Sequence, residues 1–228
     1  SVEFRNFAIM RCLDDAMSLD TNNSHVWIHN MDLFYGKKGS AADQAKGDGT
    51  VDIKGDSKYV TVAYNRFWDN GKASMCGMKS ETGENWITYH HNWFDHSDSR
   101  MARVRTMSVH MYNNYYQHCD VYGIGATSGS SIFMESNYFD AVKRPIMSSL
   151  QGTDAKGDGT FSGEKGGLIK AYGNVFTNKP ANFSYIPYAE NNTSFDAYEV
   201  SHPSEQVPAN VKTLVGGTSY NNFDTNPS

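Results

Sequence analysis

The stretches Ile87-Thr-Tyr-His-His-Asn92-Trp-Phe94 and Val109-His-Met-Tyr-Asn-Asn114-Tyr-Tyr116 are two copies of one phrase. An apolar residue, a gap and a second apolar residue lead to an Asn, and an aromatic residue follows the Asn at one remove. Further copies read Val60-x-Val62-x-x-Asn65-x-Phe67, Ile132-x-Met134-x-x-Asn137-x-Phe139 and Ile169-x-Ala171-x-x-Asn174-x-Phe176. Two shorter relatives, Val2-x-Phe4-x-Asn6 and Val26-x-Ile28-x-Asn30, make seven copies in all. Alternation with period two is a strand signal, and its recurrence every 22 to 37 residues marks a stacked coil rather than a sandwich. The chain is therefore read as all-β, a parallel β-helix in which equivalent residues of successive coils lie above one another. The Asn side chains are expected to hydrogen-bond in a ladder and the aromatics to pile up inside. A catalytic Asn would not recur in every copy, so the repeated Asn residues, Asn113-Asn114 included, are read as architecture.

Outward from this repeat, composition supports one elongated domain spanning 1–228. The chain has 228 residues, 20 Gly and 14 Tyr, and no long stretch with capped 3.6-residue periodicity, so helix content should be low. Past Asn178 the phrase fades into a segment rich in Pro, Asn and Ser, expected to pack along the coils or close their far end. The first phrase begins at Ser1-Val-Glu-Phe, with nothing before it to cover the open end of the coil; an amino-terminal portion removed or supplied separately is expected. A monomer is expected otherwise. Two longer loops, Tyr35 to Gly47 and Gln151 to Gly167, share the hexapeptide Ala-Lys-Gly-Asp-Gly-Thr at 45–50 and 155–160. Gly-Asp-Gly is a turn by itself, and the second copy is read as one.

A formal net charge of −5 gives no general attraction for nucleic acid, so a polyanionic ligand would need local cationic residues. No run of about 18 apolar residues is present to span a bilayer. Cys12, Cys76 and Cys119 lack metal-ligand spacing and are odd in number, so at most one pair could bond; they read as small buried apolar residues.

The residues with chemical potential lie between the phrases. In Asp48-Gly-Thr-Val-Asp52 the carboxylates share a strand face while Val51 and Ile53 turn inward, and Asp15 could stack beside them from the preceding coil. Three carboxylates on a rigid face suit a hard cation such as Ca²⁺, though an acidic pair near a Gly turn can also be solvated surface. Lys72, Arg100, Arg103 and Arg105 fall at comparable coil positions, where they would form surface salt bridges or a polyanion site. His90-His91 cannot both approach one ion from a regular strand, because neighbours point to opposite faces, and are read as structural. Trp27, Trp68, Trp86 and Trp93 are read as packing residues before sugar-stacking ones. The roles of His118, Lys143 and Arg144, near the expected groove, stay open.

Together these stretches resemble the pectate lyases of the first polysaccharide-lyase family over almost the whole chain. The matching segments are Val26-Trp-Ile-His-Asn30, Asp48-Gly-Thr-Val-Asp52-Ile, Tyr59-Val-Thr-Val-Ala-Tyr-Asn65, Thr88-Tyr-His-His-Asn92, Arg100 to Arg105 and Val109-His-Met-Tyr-Asn-Asn114; Gly159-Thr-Phe-Ser-Gly-Glu164 is similar to the family's later coils. The resemblance implies a right-handed parallel β-helix, secreted, that cleaves α-1,4-linked polygalacturonate by Ca²⁺-dependent β-elimination. It also implies Asp15, Asp48 and Asp52 as calcium ligands, with Asp15 the loosest match. Lys72 and Arg105 would bind substrate and Arg100 would abstract the proton, with Arg103 an additional cleft residue. Arginine is ordinarily protonated, so the role of Arg100 comes from the resemblance alone. Two departures bear on it. Ala102 stands where the family usually has Pro, and strict alternation would put Arg100 on the face opposite Arg103 and Arg105 unless a turn or bulge intervenes. A pectin lyase, a glycoside hydrolase using Asp48 and Asp52, and a polyuronate-binding module without turnover are the alternatives.

Overall fold

The computed structural model describes residues 1–35, 48–78, 81–82, 84–148, 166–181, 183 and 207–214. Three parallel sheets run side by side along the molecule, and the chain visits them in turn. Sheet A holds β1 (Val2–Arg5), β4 (Ser24–His29), β7 (Lys58–Ala63), β10 (Ile87–His90), β13 (Ser108–Tyr112), β16 (Ser131–Glu135) and β19 (Leu168–Tyr172). Sheet B holds β2 (Ala8–Met10), β5 (Asp32–Phe34), β8 (Arg66–Trp68), β11 (Trp93–Asp95), β14 (Tyr115–Gln117), β17 (Tyr138–Asp140) and β20 (Val175–Thr177). Sheet C holds β3 (Met17–Leu19), β6 (Gly49–Ile53), β9 (Lys72–Cys76), β12 (Arg103–Val104), β15 (Ile124–Ala126) and β18 (Ile146–Ser148). Every pairing is parallel and joins a strand to its counterpart one coil away, giving the parallel β-helix that the repeat implied, right-handed as the resemblance implied.

Register explains why the phrase repeats. Val2, Val26, Val60, Ile87, Val109, Ile132 and Ile169 occupy one column of sheet A. The next inward position in β7, β10, β13 and β16 is Val62, Tyr89, Met111 and Met134, all fully buried. The aromatic ending the phrase lies in sheet B. Phe67, Phe94, Tyr116, Phe139 and Phe176 stack one above another with ring centroids 4.8, 4.9, 4.5 and 5.2 Å apart. Such stacking adds about 0.5–1.5 kcal/mol per pair to the burial of the rings.

Between sheets A and B sits the Asn ladder. The Nδ2 of Asn65 donates to Asn92 Oδ1 at 3.1 Å, and Asn92, Asn114 and Asn137 repeat this to Asn114, Asn137 and Asn174 at 3.0, 3.1 and 3.0 Å. Each also donates to a carbonyl of the coil before, as Asn92 does to Val62 at 2.8 Å. Asn6 and Asn30 do not belong to this column. Met31 takes the ladder position in its coil, its backbone N–H donating to Asn65 Oδ1 at 3.0 Å. Asn6 and Asn30 instead occupy the corner one residue earlier, with φ of 59° and 49°. Tyr64, His91, Asn113, Ser136 and Gly173 fill the same corner, also at positive φ. Asn tolerates the left-handed conformation unusually well, which is why the shorter phrases also end in Asn.

The helix α1 (Val207–Leu214) lies against sheet B, with Val207 and Val211 packed on Tyr115, Trp93 and Tyr138. Lys212 Nζ sits 5.0 Å from the centre of the Trp93 ring. Most of segment 178–228, the loops at 36–47 and 151–165, and the second hexapeptide lie outside the described residues. Cys12, Cys76 and Cys119 are free thiols, the latter two buried, as their reading as small apolar residues expected. Trp68 is buried on Phe34, while Trp27 and Trp86 are exposed.

Candidate active site

Sheet C turns its outer face to the charged residues singled out above. Val51 and Ile53 are fully buried in the core, so alternation sends Asp52 outward beside Ser18 of β3 and Met75 of β9. Asp14 and Asp15 precede β3 at the level of Asp48 and Gly49, where Gly49 N–H donates to Asp15 Oδ1 at 3.1 Å. One carboxylate oxygen each from Asp14, Asp15 and Asp48 lie within 4.8 Å of one another. Gly49 lies against the Asp52 carboxylate, and a Cβ there would force that side chain to move aside.

Two lysines hold this acidic group. Lys72 Nζ donates to Asp48 Oδ1 at 2.8 Å, and Lys54 Nζ lies 2.9 Å from Asp15, 3.6 Å from Asp20 and 3.8 Å from Asp52. The Lys72 hydrogen bond holds the Asp48 carboxyl below its usual range. Asp52 moves the other way, pushed up to about 7 by burial and then by the Asp15 charge, against the pull of Lys54 and Arg100. Its Oδ1 is buried and accepts no hydrogen bond from the described residues. Burial, ahead of the neighbouring carboxylates, is thus what disfavours the charged form of Asp52.

The arginines come from the next coil by a local change of register. Lys72 faces Ser99, whereas Met75 faces Arg103, so four residues span what three span on β9. The additional residue sends both Met101 and Ala102 into the core, fully buried, and leaves Arg100 and Arg103 flanking them on the outside. This is the bulge that the alternation argument required. Arg100 has φ of 60°, its carbonyl accepts the Ser74 N–H at 2.7 Å, and the Met101–Ala102 peptide is cis. Ala102 fills the position of the family's Pro as a core residue, and its carbonyl accepts the Gly125 N–H at 3.0 Å. Arg103 stands in the column of Asp52, two strands along, with Nη1 3.4 Å from Met75 Sδ. Burial and the neighbouring Arg100 hold its pKa below the ordinary arginine value. The Nε atoms of Arg103 and Arg105 are buried without hydrogen-bond partners.

Asp15, Asp48, Asp52, Lys72, Arg100 and Arg103 thus belong to one face, with Arg105 directly after β12. Sequence reading passed over Lys54 and Asp14. Lys54 was visible as the residue two beyond Asp52 on the same strand face, and Asp14 as the neighbour of Asp15. Hard oxygen donors suit Ca²⁺; the oxygens that converge come from Asp14, Asp15 and Asp48, so Asp14 takes the place expected of Asp52, whose buried Oδ1 is unpartnered among the described residues.

Comparison with known proteins gives the family and the fold. The family described as Pectate lyase matches residues 11–213. Pectate trisaccharide-lyase from Bacillus licheniformis is 32% identical over 135 residues, 59% of this chain and 39% of that protein. Pectate lyase C from Dickeya chrysanthemi is 33% identical over 167 residues, 72% of this chain and 41% of that protein. The chain therefore spans about two fifths of the length of these curated relatives. Among solved structures, a pectate lyase from Bacillus sp. N165 in complex with trigalacturonate superimposes with a TM-score of 0.73 at 23% identity, covering 94% of this chain and 67% of that one. Pectate lyase II from Xanthomonas campestris pv. campestris gives 0.70 at 26% identity, covering 96% and 70%.

Proposed function

Because the chain belongs to the pectate lyase family, we propose that it cleaves α-1,4-linked polygalacturonate by Ca²⁺-dependent β-elimination outside the cell. The observation that carries this reading is the meeting, on one face, of converging carboxylates with a row of cations whose Arg103 and Arg105 Nε atoms are unpartnered among the described residues. A uronate chain has the complementary chemistry, with carboxylates for the arginines and oxygens to share a cation with the aspartates.

Asp14, Asp15 and Asp48, with Asp52 alongside, would hold Ca²⁺. The bound ion would supply positive charge at the substrate carboxylate, which acidifies the adjacent C5–H. Lys72 and Arg105 orient the uronate and neutralise its charge, and Arg103 extends the same cationic row. Arg100 takes the C5 proton. The released electron pair forms the C4–C5 double bond, the C4–O bond breaks, and the departing sugar oxygen takes up a proton. No water is consumed, so the product carries a 4,5-unsaturated end. Lys54 binds two carboxylates of the acidic group and keeps them turned toward one point.

Absorbance at about 235 nm with polygalacturonate, with Ca²⁺ and then with excess chelator, tests the reading. A rise that requires Ca²⁺ and is lost in Arg100→Ala is expected. Chain cutting that yields new reducing ends without the chromophore would mean hydrolysis, and polyuronate binding with no cutting would mean a binding module. Activity on methylated pectin that survives chelation would mean a pectin lyase.

A further inference from the structure

On sheet A, away from the acidic group, the pair His90-His91 adopts an arrangement that a regular strand forbids. His90 ends β10, and His91 takes the left-handed corner with φ of 53°. That corner is the kink that alternation demanded, and it swings the second ring back beside the first. The two Nδ1 atoms stand 2.8 Å apart, with the ring planes crossed at 88°. Both rings are clamped by aromatics from the neighbouring coils. Tyr64 stacks on His91 at 4.9 Å and Tyr112 stacks on His90 at 5.0 Å, so the convergence is built into the packing.

We propose that His90 and His91 form a two-nitrogen site for a borderline divalent transition-metal ion such as Cu²⁺, Ni²⁺ or Zn²⁺. Neutral imidazoles select these ions over Ca²⁺, whose preference is for oxygen. The distance fits with little movement: two nitrogens about 2.1 Å from one ion lie roughly 3.0–3.4 Å apart, so the pair opens by about half an ångström. At present one Nδ1 must donate a proton to the other. Binding moves that proton to the Nε2 of the same ring, a tautomer change with no net charge. Burial and the neighbouring His110 hold the His90 pKa down to about 4, consistent with a neutral ring at neutral pH. Among the described residues no third His, Cys, Asp or Glu completes a set of three there. Such a site is one of moderate affinity.

The neighbouring coils supply variants that respect the backbone. Ala63 occupies the strand position of His90 one coil earlier, and Asn113 occupies the corner of His91 one coil later. His90→Ala and His91→Asn therefore remove a ring each and keep a residue the architecture already uses. The full chain, in excess Ca²⁺ to occupy the acidic group, is titrated with Cu²⁺ or Zn²⁺ by calorimetry, and the 1:1 Cu²⁺ sample is examined by electron paramagnetic resonance. The expected result is one ion per chain with a dissociation constant in the roughly micromolar range, and coupling to two imidazole nitrogens. Each variant should weaken binding by about tenfold or more, and His118→Asn, at another left-handed corner, should leave it unchanged. Thermal melts without metal establish that the variants fold, and the resonance spectrum of the parent decides the ligand set without any variant. The proposal is overturned if the parent shows no two-nitrogen copper signal, or if both variants bind as the parent does.

Discussion

Glu81 ties three coils together with one carboxylate. It accepts the Gly55 N–H at 3.1 Å from the coil before, the Met78 N–H at 3.0 Å within its own loop and the Thr106 hydroxyl at 2.6 Å from the coil after. Burial alone would raise its pKa, but these donors outweigh it and hold the group down to about 2. A carboxyl whose folded pKa lies below the unfolded value stabilises fully above pH 4.5 and loses that contribution as the pH falls toward 2. Glu81→Gln should therefore cost about 1–3 kcal/mol at pH 7 in urea melts, with the gap to the parent closing between pH 4.5 and pH 2. A gap that stayed constant on acidification would show that the charge is not what matters. Asp52 predicts the opposite trade. Its carboxylate is buried beside Asp15 and Asp48 with Oδ1 unpartnered, so Asp52→Asn should melt no lower than the parent in chelator. If Ca²⁺ binds as proposed and raises the melting temperature of the parent, the variant should lose most of that rise. Glu81 was not legible in the sequence as part of a cluster, because its partners Gly55 and Thr106 arrive from coils whose register only the fold sets.

The elements were far more legible, since a strand phrase repeated in five full copies leaves one way to stack. What the phrase could not distinguish was the corner from the ladder: Asn30 and Asn65 look alike in sequence, yet one bends the chain and the other bridges coils. The bulge before Arg103 was deducible only as a requirement, and His91 escaped because alternation was applied to a residue that had already left its strand. The ladder itself makes a graded prediction. Asn92 is fully buried, donates to Val62 and Asn114 and accepts from Asn65, so Asn92→Ala strands partners on both sides. It should cost about 2–4 kcal/mol. Asn174, the last described rung and only part-buried, should cost less when replaced by Ala. Equal losses in denaturant melts would mean that the rungs act through the backbone alone.

At the scale of the molecule, a chain of net charge −5 is proposed to bind a polyanion, so attraction must be local to sheet C. Raising NaCl from about 0.05 M to about 0.5 M should increase KM for polygalacturonate several-fold while changing kcat less, because salt screens the approach of the substrate more than its close contacts. A KM indifferent to salt would place the binding energy in uncharged contacts.

The coils also differ in length without differing in rise. Equivalent positions of sheet A are 22 residues apart from Ile87 to Val109 and 37 apart from Ile132 to Ile169, yet both steps are a single strand spacing. The corner between sheets A and B always takes two residues, so every insertion is absorbed at the other two corners, which border the charged face. Loops beside the charged face can thus lengthen, shorten or be exchanged while the stacked interior stays as it is. Selection, or a protein engineer, can redraw what that face presents one coil at a time, with the scaffold as a fixed spine.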